Sequence, residues 1–236
     1  MEKSNKTYTL EQLYLTSLSI ATYYIQSKGE AVFIDPIRDV DSYIERLAKD
    51  GAKLKYVMLT HIHADFVSGH FDLAKRTGAT IVFGPSAKTG FEFHEAKDEE
   101  VFKIGDISLT WLHTPGHTLE SSSIVLSNEA GKKVAVFTGD TVFIDDVGRP
   151  DLAVSKNITK EDLAGFLFTS IQTKILTLPD DITIYPNHGA GSACGKKLSK
   201  KLFDTLGNQK KNNYALLVKS KEEFVKLVAS GIATPP

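Results

Sequence analysis

The 236-residue sequence holds a single cysteine, Cys194. One thiol excludes an intrachain disulfide framework and a thiolate-rich structural zinc site, and it fits a reducing compartment, so the cytoplasm is the expected location. An excess of one charge is also lacking. Lys and Arg total 28 against 29 for Asp and Glu, a formal net charge of -1. That balance provides no basic field to attract nucleic acid or an anionic membrane surface. No apolar run approaches the roughly 20 residues of a membrane span. Residues 1–6 lead into no apolar stretch with a small-residue cleavage site, so no secretory signal is expected. No strand-like run is followed by a Gly-rich phosphate fingerprint, which argues against a doubly wound nucleotide fold. No internal repeat, low-complexity linker or composition break divides the chain, so 1–236 is expected to be one domain with ample length for a core. The closing Ala233-Thr234-Pro235-Pro236 has the composition of the start of a linker.

What the sequence does contain is a series of short apolar runs, each followed by polar residues suited to chemistry. Leu13–Ile20 and Ala21–Ile25 are rich in β-formers, Lys28-Gly29-Glu30 reads as a hairpin turn, and Ala31–Ile34 as a returning strand stopped at Asp35-Pro36. Val40, Ile44, Leu47 and Ala48 have helical spacing, closed by Gly51. A strand over 54–60, a helix over about 67–77 and a strand over Thr80–Phe83 follow. The segment Phe91–Glu100 reads as a surface excursion with a solvated His94. Strands are expected at 107–112, 123–126, 134–137 and 181–185, and helices at about 159–172 and 220–230. Thr159, with Glu161 and Asp162 in the first turn, starts the former. A βαβ unit followed by several strands with hairpin-length connections predicts a mixed, layered α/β protein.

The central stretch is Leu59-Thr60-His61-Ile62-His63-Ala64-Asp65-Phe66-Val67-Ser68-Gly69-His70. An extended backbone there would turn His61, His63 and Asp65 to one side, and two imidazoles with a carboxylate suit a divalent metal better than a core. Three more pieces lie past strand ends. Thr114-Pro115-Gly116-His117-Thr118 presents His117, Thr138-Gly139-Asp140-Thr141 presents Asp140, and Pro186-Asn187-His188-Gly189 presents His188. His70 is expected to pack or cap a helix, and His113 to point away from the cluster.

H-x-H-x-D, P-G-H-T, T-G-D and P-x-H-G, in this order and over nearly the whole chain, resemble the metallo-β-lactamase superfamily. The resemblance implies an αββα sandwich of two mixed sheets flanked by helices, with a metal at the lip of the sheets. Most hydrolases of that superfamily carry a further histidine after the aspartate, which helps hold a second metal; here Phe66 stands at that position, filling the vacated volume. With Gly116–Ser121, Gly139–Phe143, Asp146–Asp151 and His188–Gly195, the pattern is similar to the persulfide (sulfur) dioxygenases, most of all the bacterial type often fused to a rhodanese domain.

That resemblance implies one Fe(II) per chain on His61, His117 and Asp140. Two imidazoles and one carboxylate are the facial triad of non-haem iron, although zinc accepts the same ligands plus water. His63, Asp65 and His188 then either orient ligands and substrate by hydrogen bonds or remain as relics of a two-metal ancestor. Arg149 either binds a carboxylate of the substrate's thiol carrier or anchors its loop through Asp151 or a carbonyl. Cys194 either approaches the bound sulfur or has no chemical role. The implied reaction oxidises a thiol persulfide, such as glutathione persulfide, with O2 to sulfite and free thiol. A rhodanese acting in trans or as a lost fused domain, and a homo-oligomer, are the implied partners; no nucleic acid or membrane is. Two other readings stand beside it: a glyoxalase II-like hydroxyacylglutathione thioester hydrolase, which the missing histidine at Phe66 opposes, and a catalytically silent binding module, which the intact ligand set opposes.

Overall fold

The computed structural model describes residues 7–232, so the expectations placed on residues 1–6 and 233–236 lie outside the described residues. Six strands form the first sheet: β1 (Tyr8–Leu15), β2 (Ile20–Ser27), β3 (Glu30–Ile34), β4 (Lys53–Met58), β5 (Thr80–Phe83) and β6 (His94–Glu95). They lie in sequence order, with β1, β2 and β3 antiparallel and β3 to β6 parallel. The second sheet takes β7 (Val101–Ile104), β8 (Ile107–His113), β9 (Ser122–Ser127), β10 (Lys133–Gly139), β13 (Thr183–Pro186) and β14 (Asp204–Thr205). Its order is β14-β13-β10-β9-β8-β7, with only β10 and β13 parallel. A small ribbon of β11 (Val142–Phe143) and β12 (Asp146–Val147) lies between them in the chain.

Alternation of apolar side chains gives each sheet two buried faces, and three apolar clusters fill the layers. Tyr23, Ile25, Val32, Ile34 and Met58 of the first sheet meet Phe102, Leu109, Trp111, Ile124 and Phe137 of the second. Helices α1 (Asp41–Asp50) and α2 (His70–Thr77) cover the outer face of the first sheet, where Phe33, Val57 and Phe83 pack on Tyr43, Leu47 and Leu73. On the far side, α3 (Lys160–Ser170) with its π-helical extension Ile171–Ile175, and α5 (Lys221–Ala229), cover Val125, Val136 and Ile184. This is the expected αββα sandwich.

Local signals held where side chains act on their own helix. Thr159 forms a full capping box with Asp162, accepting from its amide at 3.1 Å while the carboxylate accepts the Thr159 amide at 2.9 Å. Ser220 caps α5 in the same sense. Several boundaries and elements differ from expectation: β1 starts at Tyr8, β4 ends at Met58, and β6 and β7 stand where no strand was expected. Residues 16–19 are a turn between β1 and β2 instead of continuous strand, because Ser19 adopts a left-handed φ of 52°. Helix α2 begins at His70 because Ser68 bridges Ile37 and the Gly69 amide donates to the Pro36 carbonyl. The polar stretch near 196–213 contains a further helix, α4 (Leu206–Asn212), capped by Thr205.

Candidate metal centre

Each candidate ligand follows the C-terminal end of a strand. His61 follows β4, His117 lies between β8 and β9, Asp140 follows β10 and His188 follows β13. The two sheets are stitched together there: the Ala21 amide donates to Asn187 O and the Ser122 amide to Thr60 O, both at 2.8 Å. Four loops are thereby held against one another at one edge of the sandwich.

His61, His117 and Asp140 come together, all three buried, with one donor atom from each within 4.8 Å of the others. Asp140 Oδ2 lies 3.4 Å from His117 Nε2, 3.5 Å from His188 Nε2 and 3.9 Å from His61 Nε2. In each histidine the other ring nitrogen has an acceptor. His117 Nδ1 donates to the Arg149 carbonyl at 2.8 Å and His188 Nδ1 to the Ser19 carbonyl at 3.1 Å. The Thr60 hydroxyl donates to Asp35 Oδ2 at 2.8 Å, which leaves its oxygen to accept from His61 Nδ1 at 3.0 Å. With Nδ1 protonated on all three rings, each Nε2 turns a lone pair toward Asp140. Burial first, then the neighbouring imidazoles of His63, His117 and His188, hold His61 well below its ordinary pKa, so it stays neutral.

The chemistry of this arrangement calls for a cation. Neither oxygen of Asp140 receives a hydrogen bond, and His188 Nε2 has none either, although all are buried. A buried carboxylate without a donor is costly by several kcal/mol unless a positive charge faces it. Converging bare imidazole nitrogens and a bare carboxylate fit a divalent metal, and the residues present fit the group that the motifs imply.

Not every residue in the His61–His70 loop joins that cluster. The loop leaves the extended conformation after Met58, so alternation does not hold through it. His63 turns back to Asp35, Nε2 to Oδ1 at 3.0 Å, and its ring meets that of His61 edge-on, centroids 4.2 Å apart. Burial lowers the His63 pKa, but the Asp35 charge and hydrogen bond, with Asp140 and Asp65, outweigh it and the net shift is upward. Phe66 lies with its ring centroid 4.3 Å from that of His63. Asp65 faces His188, Oδ2 to Nε2 at 3.3 Å, and groups with Cys194. The Arg149 guanidinium is engaged by both oxygens of Asp151, at 2.6 and 2.7 Å, and by the Ala193 carbonyl at 3.1 Å. That is the geometry of the loop-anchoring role, and the Arg149 amide adds a bond to the Cys194 carbonyl. Burial, then the Asp140 and Asp65 charges, push the Cys194 thiol well up, so on its own it is a protonated thiol and not a nucleophile. His94 pairs with Glu100 at the surface, His113 donates to the Leu119 carbonyl, and His70 packs on Phe83 and Phe91.

Two positions escaped the sequence reading. Asp35 holds Thr60 by both its amide and hydroxyl and His63 by its ring, while adopting a left-handed φ of 50°. Ser19, also left-handed, orients His188 through its carbonyl. The signal for Asp35 was a carboxylate at a strand end before proline; a backbone carbonyl leaves none. Asp35→Asn should lower metal affinity about 10–100-fold, since an amide must present an N–H where Thr60 or His63 needs an acceptor. Chelator competition measures this; an unchanged dissociation constant would show that Asp35 serves only the fold.

A cavity of about 460 Å3 reaches the cluster at His117 and is lined also by Asp65, Arg149, Cys194, Leu18 and Leu152. A larger groove of about 620 Å3 between β1 and α1 contains none of the candidate ligands. Among the described residues no helix is long and apolar enough to cross a membrane.

Residues 15–188 match the metallo-beta-lactamase superfamily. A probable hydroxyacylglutathione hydrolase of Schizosaccharomyces pombe is 33% identical over 68% of the chain and 58% of its own length, so the chain spans little more than half of that relative. The mitochondrial persulfide dioxygenase ETHE1 of Homo sapiens is 30% identical over 76% of the chain and 67% of its own length. Among solved structures, a metallo-beta-lactamase from Staphylococcus aureus superposes with a TM-score of 0.90 at 37% identity, covering 98% of this chain and 70% of that one. ETHE1 from Myxococcus xanthus superposes at 0.81 with 28% identity, covering 96% and 93%.

Proposed function

The chain belongs to the metallo-beta-lactamase superfamily, and from that footing we propose that it is a non-haem iron(II) persulfide dioxygenase. It takes a thiol persulfide, such as glutathione persulfide, and O2, and releases sulfite and the free thiol. The observation that carries this reading is Phe66. Where superfamily hydrolases place a metal-binding histidine the chain has a phenyl ring set against His63, which cannot ligate, and the histidine-aspartate trio is left as two imidazoles and one carboxylate. Similarity to the human persulfide dioxygenase, and to the Myxococcus structure over nearly its full length, supports it.

His61, His117 and Asp140 would hold the iron, which supplies the redox chemistry that joins oxygen to sulfur and leaves positions for substrate. The protein's own part is positional. Thr60, the Arg149 carbonyl and the Ser19 carbonyl fix three imidazoles by their Nδ1 protons. The apolar cavity walls admit a thiol carrier while limiting water. Both atoms of O2 end on the outer sulfur, water supplies the third oxygen of sulfite, and the sulfur–sulfur bond breaks as the thiol takes a proton.

Glutathione thioester hydrolysis is the competing reading, favoured by the 33% identity to the fission-yeast hydrolase. Metal analysis of anaerobically purified protein, with O2 consumption on adding glutathione persulfide, separates the two. About one iron per chain, with one O2 consumed and one sulfite released per persulfide, is expected. Iron-loaded protein that consumes no O2 with persulfide but cleaves a glutathione thioester would replace this reading with the hydrolase.

A further inference from the structure

The two large sheets have four edge strands, and the chain blunts three of them. β6 and β14 are two residues long, and β7 is four residues carrying Lys103, whose carbonyl accepts the Lys55 ammonium at 3.1 Å. β1 is different. It runs eight residues, Tyr8–Leu15, in regular register with β2, without proline, lysine or a bulge, and Glu11 is its one charge. An edge strand of this length and regularity is a template for pairing with another chain.

The groups that β1 turns outward follow from its pairing. The Ala21 amide donates to Asn187 O, away from β1, so Ala21 and Tyr14, opposite each other in register, do not bond to one another. Antiparallel pairs alternate, which turns the N–H and C=O of Leu10, Gln12 and Tyr14 to the edge while Glu11 and Leu13 bond to β2. Among the described residues none of the outward groups has a backbone partner. Both flanks of the edge are open as well. On the outer flank lies the groove of about 620 Å3, lined by Leu13, Leu15, Ile37 and Lys49, and Lys49 forms no ion pair among the described residues. On the inner flank the Gln12 side chain donates to the Leu202 carbonyl at 3.1 Å, and the next residue, Phe203, is 55% exposed and packs on Tyr185.

We propose that β1 pairs antiparallel with β1 of a second copy of this chain, joining two six-stranded sheets into one continuous sheet. A two-fold axis at Gln12 sets Leu10 against the partner's Tyr14 and Gln12 against the partner's Gln12, so every outward N–H meets a C=O across the axis. Leu10 and Tyr14 then extend the inner apolar layer that they already border. The same register sets the partner's Glu11 opposite Leu13, which lines the groove together with Lys49. The one charge of the strand thus enters the groove of an unpaired cation, and by symmetry it does so in both copies. A foreign extended peptide would find the same backbone groups, but the chain's own strand already carries the carboxylate on the groove side. Pairing uses up both open edges, so the assembly closes at two. β1 also runs straight into residues 17–19, which line the metal-centre cavity and orient His188, so the interface braces one wall of that cavity. The inference concerns assembly and holds whichever reaction the metal centre performs.

Analytical ultracentrifugation combined with amide hydrogen exchange read by NMR tests the interface. At high micromolar concentration the protein should sediment at twice the 25.9 kDa mass of one chain. In that species the amides of Leu10, Gln12 and Tyr14 should exchange as slowly as those of Glu11 and Leu13, whose bonds lie inside the sheet. On dilution to the monomer only the first three should become fast. Leu13→Glu sets like charges against the partner's Glu11 and should raise the dimer dissociation constant at least about tenfold, with the circular dichroism of the wild type retained. If that variant fails to fold, the exchange pattern of the wild type decides alone. A monomer at high concentration, a dimer whose Leu10, Gln12 and Tyr14 amides exchange fast, or a folded Leu13→Glu that dimerises as wild type does would each overturn the proposal. So would a monomer in which those three amides are slow, because something other than a second copy would then cover the edge. None of these readouts involves metal, persulfide or O2, so failure of the dioxygenase reading leaves this inference standing, and the reverse.

Discussion

Asp140→Asn should make the metal-free protein more stable and the metal-loaded protein less so. In the metal-free state the Asp140 carboxylate is buried with no donor on either oxygen, facing the imidazole nitrogens of His117, His188 and His61 at 3.4–3.9 Å. Removing a buried, uncompensated charge relieves its desolvation cost, and an asparagine amide can donate to the His117 or His188 nitrogen that the carboxylate cannot serve. The gain should be about 1–3 kcal/mol. For a chain of this size each kcal/mol moves Tm by roughly 2–4 °C, so the metal-free variant should melt some degrees above the metal-free wild type. Metal reverses the order. A ligand present at 100 times its Kd adds about 2.7 kcal/mol to the native state, and a variant that has lost the anionic ligand gives up most of that. Thermal melts of both proteins with and without metal read the crossing directly. If the metal-free variant melts below the metal-free wild type, the carboxylate is already satisfied without an ion, and the argument for a cation from its isolation fails.

The parts of this site that were legible in the sequence are those whose chemistry is local. His61, His117, Asp140 and His188 each follow an apolar strand, and a strand end projects a short polar loop whatever the strand's neighbours are. The capping box at Thr159 was legible for the same reason: donor and acceptor lie three residues apart. What was hidden depends on contacts across long separations. Asp35 reaches Thr60 and His63 over 25 and 28 residues, and Ser19 reaches His188 over 169. Cys194 stays open in the sequence between approaching the bound sulfur and having no chemical role, because nothing near it in sequence shows that Asp146, about fifty residues earlier, ties down the following amides. Helix α4 escaped because its fixing contacts are polar. Gln209 is fully buried among Asp145, Asp204 and Asn213, so the apolar period that announces a helix is missing. Period-2 alternation misplaced His63 because it assumes an extended chain, and residues 59–69 bend repeatedly.

Gly148→Ala should be the most damaging single methyl group that can be added beside the site. A Cβ at Gly148 would lie 1.8 Å from the Asp140 carbonyl oxygen and 3.3 Å from the Cβ of His117, two of the three candidate ligands. Neither obstacle can rotate away. The Asp140 carbonyl is backbone next to the turn closed by the Thr141 amide donating to Thr138 O at 2.9 Å, and His117 is fixed by the carbonyl of Arg149, the residue after Gly148. To make room, the 148–151 loop must withdraw, which pulls the Arg149 carbonyl off His117 Nδ1 and loosens the Arg149 grip on Ala193 and Cys194 at once. Overpacking of a rigid interior costs about 1–3 kcal/mol, so Tm should fall by roughly 2–12 °C. Metal affinity should fall at least about tenfold, the usual consequence of freeing a ligand imidazole from its orienting acceptor. Gly90→Ala is the control: its Cβ would meet nothing within 4 Å, and stability should change by no more than about 0.5 kcal/mol. Melting curves and chelator competition on both variants decide the matter. If Gly148→Ala loses stability but binds metal as wild type does, the loop can withdraw without disturbing His117, and the Arg149 carbonyl does not orient that ligand.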